Sequence, residues 1–255
     1  MTISYANAPE QDIVLDLPDG KKIHGLLRGS MTDTSPMVII IHGRPGTGNE
    51  LLQFLVARHL YENGFSSLRL FLYDFSPEYR DMIDTTLDTH ADDLDTVVDY
   101  LRSHGVQKIF ATGHSYGGLT ILRSKSHLDG AVLWDPTHGL VFTDEFDDPD
   151  FPEKRVNDIV YVPTGCGFFY SQTQDDYDHN LGDNSNWAAN KGYPIKFITA
   201  GKGILAPFVQ SYYEHADKLK EIVDIPEAHH QFDDSDEVIE RLFGETLEWF
   251  EQYKS

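Results

Sequence analysis

Residues 108–118 constrain the fold of this chain more than any other stretch. They read Lys-Ile-Phe-Ala-Thr-Gly-His-Ser-Tyr-Gly-Gly, so an apolar run leads into the pattern G-x-S-x-G, and a helix-like segment follows. A serine in so sharp a turn needs small neighbours, and Gly113 and Gly117 provide them. The pattern predicts that Ser115 is a nucleophile at the end of a strand. The alternative is a glycine-rich turn in which Ser115 only caps the helix.

The composition narrows the class of protein. The chain has 255 residues, of which 40% are apolar, and this suits one large α/β domain with an insertion. Its formal net charge of −22 argues against nucleic acids and anionic membrane surfaces as partners. No apolar run is long enough to span a bilayer, residues 1–11 show no secretory signal, and Cys166 is the only cysteine. We therefore expect a cytoplasmic protein without membrane insertion, whose oligomeric state stays open.

Strand-like and helix-like segments alternate along the chain. The hydrophobic pattern predicts an edge hairpin of residues 12–17 and 22–27, followed by strands at 37–41, 67–73, 109–112, 129–134, 195–200 and 221–225. It predicts helices at 50–62, 86–104, 119–124 and 208–218, and a last helix that opens with a capping box of Asp234 and Glu237. This alternation predicts an α/β fold with a mostly parallel central sheet and helices on both faces.

Residues 137–192 interrupt this alternation. They contain acidic turns, a hairpin-like stretch at 158–171 and many aromatic residues, but no strong helical stripe. Because structureless loops of this length are rare, we expect an ordered cap inserted after the sixth strand, with a disordered insertion as the alternative. The predicted organisation is a core domain of residues 1–136 and 193–255 and a cap of residues 137–192.

Four residues with reactive or loop-forming side chains follow predicted strands: His42, Ser115, Asp135 and His230. The carboxyl ends of parallel strands meet at one edge of a sheet, so we expect these residues to lie together. A serine hydroxyl needs a base within hydrogen-bond reach to act as a nucleophile, and a carboxylate can orient that base. His229 competes with His230 for the role of base. His42 is expected to hold its loop by hydrogen bonds.

Apart from the cap, residues 12 to about 250 resemble the α/β-hydrolase family. The resemblance rests on the His42-Gly43 loop, the G-x-S-x-G turn and the segment His230-Gln231-Phe232. In this family the nucleophile, acid and histidine follow one another along the chain, as do Ser115, Asp135 and His230. The acid usually follows the strand predicted here at 195–200, where this chain has Gly203. A minority, including the pancreatic-type lipases, carries it one strand earlier, often as Asp-Pro, which Asp135-Pro136 fits. Alternatively, Asp135 only caps a turn.

The resemblance implies a serine hydrolase with a catalytic triad. Ser115 would be the nucleophile, His230 the base and Asp135 the acid, and the spacing to Phe232 favours His230 over His229. The backbone N–H groups of Tyr116 and Arg44 would form the oxyanion hole. The side chain of Arg44 is not required for this role, and contact with an anionic group of the substrate is an alternative role for it.

The expected substrate is a small ester with a short to medium, uncharged acyl group. We expect it to contact His42, Gly43, Phe168 and Phe169, because aromatic cap residues that close over the serine would form an apolar pocket. No cofactor is expected, and the adjacent histidines lack the spacing of a metal site. Two alternatives stay open. One is a thioesterase or acyltransferase with the same triad; the other, suggested by Gly203, is a non-catalytic binding protein with this fold.

Overall fold

The structure, a computed structural model, describes residues 10–31, 35–142, 154–163 and 169–255. In these ranges eleven strands occur: β1 (Glu10–Asp16), β2 (Lys22–Arg28), β3 (Met37–Ile41), β4 (Ser66–Phe71), β5 (Ile109–His114), β6 (Gly130–Trp134), β7 (Lys154–Val156), β8 (Ile159–Pro163), β9 (Phe169–Thr173), β10 (Ile195–Ala200) and β11 (Lys220–Ile225). Eight of them form the central sheet in the order β1-β2-β4-β3-β5-β6-β10-β11. The neighbours from β4 to β11 pair in parallel, whereas β1 and β2 form the antiparallel edge hairpin, as predicted.

Helices connect these strands: α1 (Leu51–Glu62), α2 (Leu87–Ser103), α3 (Tyr116–Arg123), α4 (Gln174–Asn180), α5 (Ala206–His215) and α6 (Asp236–Tyr253). The predicted helix at 208–218 begins earlier, at Ala206, since Pro207 suits a first helical turn. The predicted capping box is wrong by one residue. Ser235 caps α6 by accepting a hydrogen bond from the Val238 N–H, and Asp234 instead bonds to His229. None of the helices in the described ranges is long and apolar enough to cross a membrane.

Both faces of the sheet are covered, which explains why the central strands β3 and β6 are continuous apolar runs. All residues of β3, β5 and β6 are buried. On one face β3 and β5 pack with α2 and α3, through residues such as Leu94 and Leu119. On the other face they pack with α1 and α6, through residues such as Val56 and Phe250. The predicted fold class is therefore confirmed, and the sheet brings the ends of β3, β5, β6 and β11 to one edge.

The segment predicted as a cap, residues 137–192, is called the cap segment here. In its described part β7, β8 and β9 form a separate antiparallel sheet, in which β8 and β9 are the two arms of the hairpin-like stretch. Helix α4 follows β9 directly and is capped by the side chain of Thr173. With seven residues α4 is too short to show a hydrophobic stripe, so the sequence pattern missed it.

Candidate functional site

Ser115 lies in a sharp turn between the last residue of β5 and the first residue of α3. Its backbone has φ 54° and ψ −119°, a conformation that residues other than glycine rarely adopt. A Cβ atom at Gly113 would lie 2.4 Å from the carbonyl carbon of Gly117, and one at Gly117 would lie 2.5 Å from the Ile41 oxygen. Both glycines are therefore required by close backbone approach, as predicted. The Ser115 hydroxyl forms a 3.0 Å hydrogen bond with Thr137 Oγ1.

His230 meets a buried carboxylate at this edge of the sheet. Its Nδ1 lies 2.6 Å from Oδ2 of Asp135, which directly follows β6 and is fully buried. The other carboxylate oxygen accepts a hydrogen bond from the Ala200 N–H at 3.3 Å. Because a carboxylate accepts hydrogen bonds, Nδ1 of His230 carries the proton, and in the neutral ring Nε2 is left as the basic nitrogen. The structure thus brings together His230 and Asp135, which are 95 residues apart in the chain.

Gly203 also lies next to this carboxylate. A Cβ atom added at Gly203 would be 3.3 Å from Oδ2 of Asp135 and 3.2 Å from the carbonyl oxygen of Ala200. The carboxylate of Asp135 therefore borders the position at which the resemblance implies the commoner acid. Asp135 itself has a positive φ of 41°, a conformation in which aspartate is several-fold enriched among non-glycine residues.

His114, the residue before the serine, lies against His230. Its Nε2 donates a 2.7 Å hydrogen bond to the carbonyl oxygen of His230, and the two ring centroids are 4.7 Å apart. Burial, together with the charge of the neighbouring His230, lowers the pKa of His114 to about 3. His114 is therefore neutral and supports the backbone of His230. The G-x-S-x-G pattern carries no signal for this role, because His114 occupies a variable position of it.

His229 and His230 differ sharply in their surroundings. The side chain of His229 is 63% exposed, and its Nδ1 pairs with Asp234. That of His230 faces Asp135 and is 34% exposed. Of the two adjacent histidines, the structure thus brings only His230 to the site.

His42 holds the loop after β3 by hydrogen bonds, as expected. Its Nδ1 donates to the carbonyl oxygen of Gly43 at 2.7 Å, and its Nε2 accepts from the Leu72 N–H at 3.2 Å. Burial lowers the pKa of His42 to about 4, so the ring is neutral, as these two bonds require. A contact of His42 with substrate stays a prediction.

The loop after β3 lies against the serine turn. A Cβ atom at Gly43 would be 3.2 Å from the Ser115 Cβ, and the peptide bond between Arg44 and Pro45 is cis. The Arg44 side chain, for which contact with an anionic substrate group was an alternative, has partners within the protein. Its guanidinium forms a buried ion pair with Asp176 at 3.2 Å and donates to the carbonyl oxygen of Met82.

The aromatic residues predicted to form the pocket fall where the structure does not describe their side chains. Phe168 lies outside the described residues, and for Phe169 the structure describes the backbone in β9 but not the side chain. Sequence reasoning also missed three residues that contact the site from the cap segment: Thr137, Asp176 and Asn180. Each forms its contact with a residue distant in the chain, so no local pattern could have signalled it.

As the pH falls, the free energy of unfolding is expected to decrease more steeply for the wild type than for the variant His114→Gln. An unfolded chain binds a proton at this histidine below about pH 6.5, whereas burial keeps the folded ring neutral down to about pH 3. The unfolded state thus binds more protons, and the free energy of unfolding falls with decreasing pH by about 1.4 kcal/mol per unit. Urea unfolding of both proteins from pH 7.5 to 4.5 measures this difference.

The exposed His104 provides the matched control for this experiment. In His104→Gln the free energy of unfolding should depend on pH as in the wild type. In His114→Gln the contribution of one histidine to this dependence should be missing. Buried carboxyls such as Asp93, whose pKa burial raises to about 6, titrate equally in all three proteins and cancel in the comparison. A difference between wild type and His114→Gln that stays constant with pH would contradict the assignment.

The comparisons with known proteins agree with this architecture. A family model described as the alpha/beta hydrolase fold matches residues 36–124, which contain β3 to α3. Est1E from Butyrivibrio proteoclasticus, in a structure with ferulic acid bound, is similar with a TM-score of 0.77 and 18% identity over 94% of this chain and 98% of that one. A search of curated proteins gave no match.

Two further solved structures show the same likeness. Mouse alpha/beta hydrolase domain-containing protein 10 has a TM-score of 0.76 and 11% identity, over 95% of this chain and 99% of that one. Esterase Pf2001 from Pyrococcus furiosus has a TM-score of 0.72 and 16% identity, over 97% and 93%. The family model, these structures and the strand order lead to one conclusion: the chain has the α/β-hydrolase fold.

Proposed function

We propose that this protein is a serine hydrolase that cleaves carboxylic esters through an acyl-enzyme. The observation that carries the proposal is the 2.6 Å contact between His230 Nδ1 and the buried carboxylate of Asp135. It lies at the sheet edge where Ser115 stands in its turn with positive φ. A base that is oriented by a buried acid, at the sheet edge that also carries a serine on a strand-to-helix turn, is the arrangement from which a hydroxyl is activated.

The reaction would begin when the Ser115 hydroxyl rotates from Thr137 towards His230. Its Oγ attacks the ester carbonyl carbon, and the proton moves to Nε2 of His230. Asp135 stabilises the imidazolium that forms. When the tetrahedral intermediate collapses, the carbon–oxygen bond to the leaving group breaks and His230 gives its proton to the departing alkoxide. Water then attacks the acyl-enzyme with His230 as base, which releases the acid and restores Ser115.

The negative charge on the carbonyl oxygen needs hydrogen-bond donors placed in advance. We assign this role to the backbone N–H groups of Tyr116 and Arg44. Tyr116 is the first residue of α3, where the helix dipole favours negative charge. Arg44 follows Gly43, whose approach to the Ser115 Cβ supports placing this loop at the reacting carbonyl.

The proposed substrates are small esters with a short to medium, uncharged acyl group. The net charge of −22 disfavours anionic substrates, and the guanidinium of Arg44 is already paired with Asp176. Aromatic residues of the cap segment, which include Phe168 and Phe169, would form an apolar pocket if they close over Ser115. Est1E has been seen with ferulic acid, which adds esters of aromatic acids to those worth testing. The single cysteine supports a cytoplasmic location, which we also propose.

Two alternatives use the same fold. A thioesterase or acyltransferase would use Ser115, His230 and Asp135 in the same steps, with a thiol as leaving group or an acceptor other than water. A non-catalytic binding protein would retain the fold without the chemistry. The His230–Asp135 contact favours the enzymes, because a binding protein has no need of an oriented base.

A fluorophosphonate probe followed by peptide mass analysis tests the proposal. We expect stoichiometric labelling at Ser115 and hydrolysis of short-chain p-nitrophenyl esters. Added alcohol that accepts most of the acyl groups would favour transfer, whereas release of free acid favours hydrolysis. Folded protein that neither reacts with the probe nor cleaves any ester would overturn the enzyme proposal and leave the binding protein.

A further inference from the structure

One short helix of the cap segment contacts the side chains of both residues assigned to the oxyanion hole. From α4, Asp176 pairs with Nη1 of Arg44 at 3.2 Å, and both side chains are 1% exposed. From the same helix, Asn180 Nδ2 donates a 3.2 Å hydrogen bond to the hydroxyl of Tyr116. Asp176 and Asn180 are one helical turn apart and also bond to each other, at 3.3 Å.

Asp176 is itself fixed in place. Its Oδ1 accepts a 3.0 Å hydrogen bond from the Leu87 N–H at the start of α2, so the carboxylate connects α4, α2 and the loop after β3. The other arm of the Arg44 guanidinium donates to the carbonyl oxygens of Met82 at 2.8 Å and Ser171 at 3.0 Å. The end of the Arg44 side chain is thus held by three separate segments of the chain.

The two oxyanion residues also contact each other and share their surroundings. The guanidinium carbon of Arg44 lies 5.6 Å from the centre of the Tyr116 ring. Beyond Arg44, the loop is tied down by the Tyr73 hydroxyl, which donates a 2.7 Å bond to the carbonyl oxygen of Gly46. Fixing a side chain at its far end restricts the backbone that carries it, and here both backbones belong to proposed donors.

We infer that α4 positions the oxyanion hole: Asp176, through Arg44, and Asn180, through Tyr116, hold the two backbone N–H donors in the geometry that the transition state requires. This inference rests on the proposed function. Neither residue is assigned any contact with the substrate, so both are positioning residues. Oxyanion donors act only when aimed at the position of the charged oxygen, so small displacements of the loop lower the rate.

Kinetics distinguish two roles for the Asp176–Arg44 pair: attachment of the cap segment and positioning of the oxyanion donors. If the pair only attached the cap, its loss would change stability and substrate binding but leave the chemical step intact. If it positions the donors, its loss must lower kcat with little change in KM, because the affected interaction exists only in the transition state. The affinity for an inhibitor that forms an oxyanion, such as a trifluoromethyl ketone, must then fall in parallel with kcat/KM.

The test compares Asp176→Asn with Asp175→Asn. Both remove one negative charge from α4, but Asp175 is exposed, whereas Asp176 is buried against Arg44. For Asp176→Asn we expect kcat to fall about 10- to 100-fold, part of the roughly 10²–10³-fold cost of losing a donor outright. We expect an unchanged KM and a parallel loss of affinity for the trifluoromethyl ketone. Asp175→Asn should leave all three quantities unchanged.

A second pair of variants covers the case in which Asp176→Asn does not fold. Asn180→Ala and Tyr116→Phe each remove one partner of the same hydrogen bond and keep the backbone N–H of residue 116. Both should lower kcat, Asn180→Ala by at least as much as Tyr116→Phe because it also loses the bond to Asp176. The double variant should lose no more than Asn180→Ala alone, because Tyr116→Phe acts only through the shared contact. Additive losses in the double variant would contradict the role of Asn180.

The outcomes distinguish this inference from the proposed function. If the wild type is labelled and hydrolyses esters, but folded Asp176→Asn and Asn180→Ala keep the wild-type kcat, the proposed function stands and the positioning role is overturned. If folded wild type neither labels nor hydrolyses, the proposed function fails first. A lower melting temperature with unchanged kcat would assign the pair to cap attachment alone and overturn the inference.

Discussion

Replacing His230 with glutamine is expected to lower kcat for ester hydrolysis by about 10⁶-fold, the loss seen when a triad histidine is removed. The reason is that His230, with Nδ1 on Asp135, is the proposed acceptor for the Ser115 proton. Glutamine has a similar reach but no basic nitrogen at neutral pH. Hydrolysis of a p-nitrophenyl ester, measured at saturating substrate with purified folded variant, determines the loss.

The adjacent His229 supplies the matched control for this prediction. His229→Gln removes an imidazole from the same turn, but this ring is exposed and pairs with Asp234. We expect the kcat of this variant to remain within about twofold of the wild type, since it lies outside the proposed proton path. If His229→Gln lost the activity and His230→Gln kept it, the two roles would have to be exchanged and the orientation by Asp135 abandoned.

Asp135→Asn is expected to lower kcat by about 10⁴-fold, the effect of this substitution on the acid of a serine protease. Asparagine keeps the size of the side chain and tolerates the positive φ of residue 135, so the fold should survive. Its amide, however, favours the tautomer of His230 with the proton on Nε2, where it cannot accept one from Ser115. Steady-state kinetics, with the melting temperature as a check on folding, measure the effect.

Asp224 and Gly203 provide controls for the role of Asp135. Asp224, in β11 beside β10, bonds to Thr199 rather than to His230, so Asp224→Asn should retain wild-type kcat. Adding Gly203→Asp to Asp135→Asn places a carboxylate where a Cβ atom would be 3.3 Å from Oδ2 of residue 135. We expect this second change to restore part of the lost activity. A near-normal rate for Asp135→Asn alone would move the role of acid to another carboxylate.

Local patterns predicted the scaffold well because they record which face of each element is buried. The apolar run at 37–41 indicates a strand that is covered on both faces, and the stripe of α2 indicates a helix that packs on the sheet with one face. The structure contains both elements. The topology of a parallel sheet then brings the carboxyl ends of its strands to one edge. For this reason Asp135 and His230 meet although 95 residues separate them. Gly113 was predictable because its close approach, to the backbone of Gly117, is itself local. Gly117 approaches the distant backbone of Ile41, so only the G-x-S-x-G pattern indicated it.

Side-chain partners at long range were not predictable in this way. Arg44 pairs with Asp176, 132 residues away, and nothing in the local sequence of either residue shows that they meet. His114 looked unremarkable in the sequence because its function is a contact with the backbone of His230. The capping box failed for a smaller reason: Asp234 and Ser235 are both good caps, and the preference of Asp234 for His229 decided between them.

The acid's place on β6 has a consequence for how the site could fail. The serine and the acid sit on adjacent, hydrogen-bonded strands: Ser115 N–H donates to Trp134 O at 2.9 Å, and Asp135 N–H donates to Ile198 O at 2.7 Å. These backbone hydrogen bonds fix Ser115 and Asp135 to the sheet, whereas His230 lies in a turn beyond β11, at the edge of the sheet. We expect gentle heating or dilute denaturant to release that turn before the sheet unfolds, so that an inactive molecule keeps an intact sheet and regains activity on cooling.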